Sequence, residues 1–241
     1  YNQVGSNVVI TEEWAEKNKI TTATPYKDRL PAMKGITIGI TGPGVTDQVA
    51  RYMGLEAGLD PDRDMTIVGI ETSAMLPAFS QNRVNGLAIS APTSPTAVRD
   101  FGGLMLFNLS RGEVPPLNGV LGSTLLARTD WLKANEATAV KFLQGMQMGL
   151  DAMKDPARTN QARDTVRAKF FPQVDAELFA GIWKDQADGA PKTLDISADM
   201  VQTLVNFNNR VAKEKLDPSL KDSVQTNEYV LKAQAASRAQ K

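Results

Sequence analysis

The sequence predicts an α/β fold, and three observations lead to that reading. Residues 36–40 alternate Ile36, Ile38 and Ile40 with Thr37 and Gly39, the period of a short strand rich in β-branched residues. The strand runs into Gly42-Pro43-Gly44, and Val45 to Ala57 then follows helical spacing with Val49, Tyr52 and Met53 on one face and Gly58 just past the end. A second apolar run, Met65 to Ile70, completes strand–turn–helix–strand, which implies two parallel strands joined by a right-handed crossover.

The other elements follow in chain order. Ser6 to Thr11 reads as a strand and Glu12 to Lys19 as a short charged helix. Residues 22–35 form a polar connection containing Pro25 and Pro31. After the unit described above, Ser73 to Asn82 reads as a helix starting near Thr72 or Ser73, with Pro77 in its interior. Gly86 to Ala91 is a third strand ended by Pro92, Ser94 to Asp100 a short helix with Pro95 at its first position, and Leu104 to Leu109 a fourth strand. Residues 34–110 thus alternate strand and helix around a parallel core.

Breaker-rich RGEVPPLN, residues 111–118, leads into GVLGSTLLAR, residues 119–128, which reads as a returning strand. The remainder is helical: a helix from Trp131 to Asp151 capped by Asp130, then 157–170, 175–188 and 197–215, and a polar helix over 227–241. Trp131 and Trp183 are expected in the core of these amphipathic helices. This order suggests residues 34–118 as one lobe, with 1–33 and 119–241 together forming another. The two crossings, near 31–35 and 114–119, would act as a hinge with a ligand crevice between the lobes.

Composition removes several classes of chemistry. The chain has 241 residues, 27 Lys plus Arg against 27 Asp plus Glu, and neither cysteine nor histidine. Cysteine nucleophiles, Cys/His metal sites, a Ser-His-Asp triad and imidazole acid–base catalysis are excluded. No Asp/Glu spacing resembles a calcium loop. Catalysis by Asp, Glu, Lys or Tyr stays open, but no pair of them stands out; the expectation is no enzyme activity, no metal and no cofactor. Zero net charge gives no electrostatic footprint for nucleic acid. No stretch is long and apolar enough to span a bilayer, and residues 1–11 lack the basic and apolar regions of a signal peptide. The absence of cysteine is compatible with an oxidising compartment.

The Gly42-Pro43-Gly44 turn is neither a dinucleotide fingerprint, whose third glycine would fall at Asp47, nor a P-loop. One reading is a structural βα turn, with Thr41 or Thr46 capping the helix and Asp47 favouring its dipole. The other is a ligand site, because such a turn leaves helix N–H groups free at the carboxyl end of a strand.

Residues 33–44, MKGITIGITGPG, resemble a segment of NMT1/THI5-like substrate-binding proteins, the ABC-transporter components related to those for nitrate, sulfonates, taurine and pyrimidine precursors. Ala57 to Pro61 followed by Asp64 and 66–68, the stretch 75–88, Pro92 and 112–115 fit the same pattern, so that the resemblance covers most of residues 7–155. Asn85 departs from it, standing where relatives commonly have Asp. The resemblance implies a type II periplasmic-binding-protein fold: two α/β lobes, two crossovers and a small-molecule ligand clamped between them. Relatives open with a β-α-β-α-β stretch near whose end this sequence begins, so the first lobe is expected to be incomplete, with an exposed sheet edge or self-association compensating.

By the same resemblance, Thr41, Gly42, Pro43, Gly44, Val45 and Thr46 would meet the ligand through backbone N–H groups and the Thr46 hydroxyl. Asp47 would lie at the edge of the site, awkward for a strong anion and suited to an amine or neutral ligand. Glu71, Thr72 and Ser73 and Ser90, Ala91 and Pro92 would face the same crevice, although Glu71 also reads as a solvated acid at a helix start. The implied function is solute capture for an ABC permease, in the periplasm or exported and membrane-tethered. The alternatives are an enzyme of the thiamine-pyrimidine type, which uses histidine and a cysteine-rich motif that this chain lacks, and a ligand-sensing domain of a regulator, which would need an attached DNA-binding or signalling domain.

Overall fold

The computed structural model describes residues 5–238. One mixed five-stranded sheet organises the fold: β1 (Ser6–Ile10), β2 (Thr37–Ile40), β3 (Thr66–Gly69), β4 (Gly86–Ser90) and β5 (Leu104–Phe107), in the order β3-β2-β4-β1-β5. β2 is parallel to both β3 and β4, as the strand–helix–strand pattern requires. β1 is antiparallel to both β4 and β5.

β1 corrects the lobe assignment made for it. Residues 6–10 belong to the sheet of residues 34–118, not to a body with 119–241. The physical reason is burial on both faces: Val8 and Ile10 enter one apolar cluster, Val9 the other, and all three are fully buried. A strand buried on both sides takes an interior position in a sheet, and this one lies between β4 and β5.

Short helices α1 (Glu12–Lys17) and α2 (Tyr26–Arg29) link β1 to β2. Thr11 caps α1 by accepting from the Trp14 N–H, and Trp14 Nε1 donates to the Ala32 carbonyl at 2.9 Å. α3 (Val45–Glu56) covers the face of the sheet formed by Val8, Ile10, Ile36, Ile38 and Ile40, inserting Val49, Tyr52 and Met53. Its end is marked by Gly58 at φ +73°, a conformation that favours glycine. α4 (Thr72–Ser80) and α5 (Thr93–Asp100) cover the opposite face, where Met75, Phe79 and Ala97 pack on Val9, Leu87 and Ile89. Pro77 lies inside α4 as the sequence indicates; Pro95 is the third residue of α5 rather than the first.

Beyond residue 111 the chain turns helical: α6 (Thr129–Ala134), α7 (Glu136–Lys154), α8 (Thr159–Phe170), α9 (Ala176–Gly189), α10 (Ala198–Val211) and α11 (Glu228–Arg238). The single helix expected over 131–151 is two, divided at Asn135, and Asp130 lies in the first turn of α6 instead of capping it. Asp175 and Ser197 do cap α9 and α10 through their side chains. The last residues of the helix expected over 227–241 lie outside the described residues.

Two further expectations are corrected here. Residues 119–128 form no strand, because no described strand pairs with them; Leu126 is 91% exposed. Trp131 is 44% exposed, not core, while the half-buried Trp183 donates to Thr159 at 2.8 Å.

α10 fastens the helical part to the sheet through α3. Phe207 joins the core beside Tyr52, with ring centroids 5.4 Å apart. Arg210 lies over the Tyr52 ring at 4.8 Å and pairs with Glu56 at 2.6 Å. Next to this cluster, the Tyr26 hydroxyl is buried without a hydrogen-bond partner among the described residues, and burial, then the nearby Glu56 carboxylate, push it up to about 12.

An isolated buried hydroxyl costs stability, so Tyr26→Phe is expected to leave the fold intact and raise stability by about 1 kcal/mol at pH 8. The sign with pH follows from the raised pKa. The unfolded tyrosine loses its proton near the ordinary value of 10.0 and the folded one only near 12, so this contribution is intact below 10 and is lost as pH rises through that window. Urea titrations of parent and variant at pH 8 and pH 11 check this: the parent should lose more stability between the two than Tyr26→Phe does.

Candidate functional site

Because β2, β3 and β4 run parallel, their carboxyl ends open on one edge of the sheet. The antiparallel β1 brings its amino end to the same edge, pairing Ser6 with Ser90. β5 brings its carboxyl end there as well, since Phe107 pairs with Val8. Residues 41–46, 70–73, 90–94, 5–7 and 108–110 are thereby gathered on one rim. Helices α3, α4 and α5 all start from it.

The turn after β2 is built for close approach to backbone. Gly42 and Gly44 both have φ +134°, and Gly44 is the N-cap of α3. No side chain caps this helix, so the free N–H groups of its first turn face the rim. The expected cap is not formed: Thr41 and Thr46 bond each other instead. The Thr46 hydroxyl accepts from the Thr41 N–H at 3.3 Å, and the two hydroxyl oxygens are 3.0 Å apart. Thr46 is buried and closes the turn, whereas Thr41, Pro43, Gly44 and Val45 are exposed on the rim.

Asp47, four residues before Arg51, receives the Arg51 Nε at 3.0 Å on both carboxylate oxygens, and Arg51 reaches Asp62 at 2.6 Å. The guanidinium holds Asp62 below the usual carboxylate range, mainly through that hydrogen bond, and is itself pushed up by Asp62. The negative charge of Asp47 at the start of α3 is therefore held in an ion pair rather than presented alone.

The next two strand ends stand beside the turn. The Ile70 N–H donates to the Ile40 carbonyl at 2.8 Å, which seats Glu71 immediately past β3. Glu71, Thr72 and Ser73 are exposed, and the Glu71 side chain makes no capping bond to α4. Ser90 is half-buried with its hydroxyl 3.2 Å from that of Ser6; Ala91 and Pro92, joined by a cis peptide bond, are half-buried too. The structure thus places residues 41–46, 71–73 and 90–92 at one end of the sheet, with Asp47 behind them in the first turn of α3.

The sequence reading missed the support beneath that rim. Asn7, Ser94 and Ser110 are buried and bonded to one another: Asn7 Nδ2 donates to Ser94 Oγ at 3.3 Å, and the Ser110 N–H and hydroxyl both donate to Asn7 Oδ1 at 3.1 Å. Ser110 also lies 3.3 Å from the Gly5 carbonyl. This ties β1, α5 and the segment after β5 together at the rim. The available signal was an asparagine inside the otherwise apolar run SNVVI, because a buried amide requires partners. At the other end of the sheet, the Asn85 side chain accepts from the Thr37 N–H at 2.9 Å, linking the start of β4 to β2.

Of two surface grooves, of about 370 and 380 Å³, one is lined by Val68, Ile70, Ala74 and Pro77 and so borders the 70–73 part of the rim, and the other lies between Glu12 and Phe101. Among the described residues no group of three or more His, Cys, Asp or Glu side chains converges to hold a metal ion, and no helix is long and apolar enough to cross a membrane.

Comparison with known proteins settles the family. The model of the NMT1-like family matches residues 1–167. The chain belongs to the NMT1-like family. Its fold is that of type II periplasmic binding proteins. The structure of the periplasmic aliphatic sulphonate binding protein SsuA from Escherichia coli is similar at a TM-score of 0.66 and 19% identity, covering 92% of this chain and 69% of that one. The periplasmic nitrate-binding protein NrtA from Synechocystis PCC 6803 is similar at 0.67 and 14%, covering 98% and 66%. A ligand binding component of an ABC-type import system from Staphylococcus aureus is similar at 0.59 and 14%, covering 93% and 72%. A comparison with curated proteins returned no match.

The amide network makes a testable statement about the rim. Asn7→Ala leaves the buried Ser110 N–H and hydroxyl without their shared acceptor, and should cost about 1–3 kcal/mol. Asn7→Asp keeps the acceptor and should recover part of the loss above neutral pH. Denaturant titration of the three proteins measures both effects.

Proposed function

We propose that this chain is the solute-binding component of an ABC importer and holds a small organic molecule on the rim formed by Thr41, Gly42, Pro43, Gly44, Val45, Thr46, Asp47, Glu71, Thr72, Ser90 and Pro92. One observation carries the reading: an uncapped helix start on a positive-φ glycine turn, at the shared carboxyl edge of three parallel strands, in a member of the NMT1-like family. Free N–H groups at a helix start are donors in search of an acceptor, and the helix dipole favours the electron-rich end of a ligand there.

Membership of the family and likeness to a component of an ABC-type import system support a membrane permease as partner. The periplasmic neighbours support an exported location. A second lobe facing the rim belongs to the same proposal. Non-enzymatic capture fits a chain with neither histidine nor cysteine.

The test removes a donor without adding bulk. Val45 is the first residue of α3 and is 46% exposed, a position where proline is well accommodated. Val45→Pro deletes one N–H group. Calorimetry with alkanesulfonates, nitrate, aminopyrimidines and short amino acids finds a binder for the parent chain. Val45→Pro should then weaken that binder about tenfold or more, the worth of one charge-assisted hydrogen bond. Gly44→Val, which forces a side chain into φ +134°, should weaken it further. Equal affinity in a folded Val45→Pro protein would show that the turn is structural only.

A further inference from the structure

We infer that β3 is an interaction edge through which two copies of this chain pair about a twofold axis, joining their sheets into one. Neither the contact nor its register depends on what the rim binds.

The two edges of the sheet are finished differently. β5 shifts register against β1 between Val8 and Val9, and Arg29 Nη1 donates to the Leu106 carbonyl at 3.1 Å. An irregular register and a covering side chain both keep an edge from pairing further. β3 has neither: it pairs with β2 in unbroken register, and Thr66–Gly69 holds no proline and no charge. The Thr66 and Ile70 N–H groups donate to the Ile36 and Ile40 carbonyls. Alternation along the strand therefore turns the N–H and carbonyl groups of Ile67 and Gly69 outward. The space beyond Gly69 is open, since a Cβ built there meets no atom within 4 Å.

Apolar surface lies beside this edge. Val68 is 36% exposed and lines the groove of about 370 Å³ together with Ala74, Pro77 and Ala78 of α4. A twofold contact between identical strands is antiparallel and self-complementary. With Ile67 opposite the partner's Gly69, and Gly69 opposite the partner's Ile67, each pair exchanges both of its N–H···O bonds. That register sets Val68 against the partner's Val68 on the axis, with Cα atoms roughly 4.5 Å apart. It also lays groove beside groove, removing from water apolar surface that a lone copy leaves exposed.

The charges at the ends of β3 favour a second copy over an unrelated strand. Glu71 lies just past the carboxyl end, where the edge meets the rim, and Arg63 lies before the amino end. Arg83 lines the groove and precedes β4, which runs the same way as β3, so it too lies toward the amino end. Among the described residues none of these three side chains has an ion-pair partner. The acids near Arg63 are already engaged: Asp62 by Arg51 at 2.6 Å, and Asp60 and Asp64 by backbone N–H groups of their own turn. Antiparallel pairing brings each Glu71 toward the partner's Arg63 and the partner's Arg83, so opposite charges meet at both ends.

Analytical ultracentrifugation of the full chain, from micromolar concentration up to about 500 µM to reach the weak association of a small interface, tests the pairing. The parent should form a reversible dimer. Gly69→Pro deletes one outward N–H from each copy, and Val68→Lys places a charge on the axis; each should weaken the dimer about tenfold or more. Glu71→Arg should weaken it as well, and Glu71→Arg combined with Arg63→Glu and Arg83→Glu should restore it. Circular dichroism checks folding; should Gly69→Pro misfold, Val68→Lys, a change at an exposed side chain, decides. A parent that stays monomeric throughout overturns the inference and leaves the edge to a strand of another protein or to none. A dimer that both Val68→Lys and a folded Gly69→Pro leave intact overturns it too, because the copies then meet elsewhere.

Discussion

The placement of β1 is the constraint from which the rest of the arrangement follows. Val8, Val9 and Ile10 offer no polar face, so the strand needs cover above and below and a partner at each edge. Those conditions hold between β4 and β5, with α3 on one side of the sheet and α4 and α5 on the other. The antiparallel direction then brings Gly5, Ser6 and Asn7 to the end of the sheet where β2, β3 and β4 finish. A strand buried for apolar reasons thereby delivers an asparagine and a serine to the rim, and Asn7 anchors two neighbouring segments there.

The rim itself balances rigid support against open backbone. Beneath it, Asn7, Ser94 and Ser110 satisfy one another, and the Thr41–Thr46 pair closes the turn. Above it, the first N–H groups of α3 receive no side-chain cap. Had Thr46 capped the helix, the turn would have been self-sufficient and uninteresting as a binding feature. The threonines instead hold the loop in shape by bonding across its base, and the glycines at φ +134° keep Cβ atoms away from its outer surface. Arg51 adds a further device: by binding both oxygens of Asp47 it partly offsets the negative charge at that helix start, although it shares its own charge with Asp62.

Legibility in the sequence tracked the range of the interactions involved. The alternation over 36–40, the helix ending before Gly58 and the strand–helix order through residue 107 depend on neighbours a few residues apart, and the sequence shows them directly. The rim residues were legible for the same reason, since each lies just past a strand that could be read locally. The seat of β1 was not, because its partners are about eighty residues and more away and nothing local records an antiparallel pairing. Residues 119–128 show the converse. Their composition suits a strand, but a strand exists only with a partner edge, and among the described residues none reaches it. The Asp47–Arg51 pair was open to view at i, i+4; its continuation to Asp62 required the fold.

The C-terminal helices bear on the site through α3 rather than through the rim. Phe207 and Arg210 of α10 hold Tyr52 and Glu56 near the far end of α3, while Gln48 bonds Asn208 at 3.2 Å one turn from its start. α3 is thus gripped along its length between sheet and α10, and a rigid helix fixes the direction of its N-terminal donors. The same grip means that any rotation of the sheet must carry α10 with it, because moving α3 alone would break an ion pair, an aromatic contact and a side-chain hydrogen bond together. The strand–helix body therefore extends beyond residue 118 to include α10. A division of the chain into moving parts should be drawn around what α3 holds, not at the Pro-rich connection where the sequence changes character.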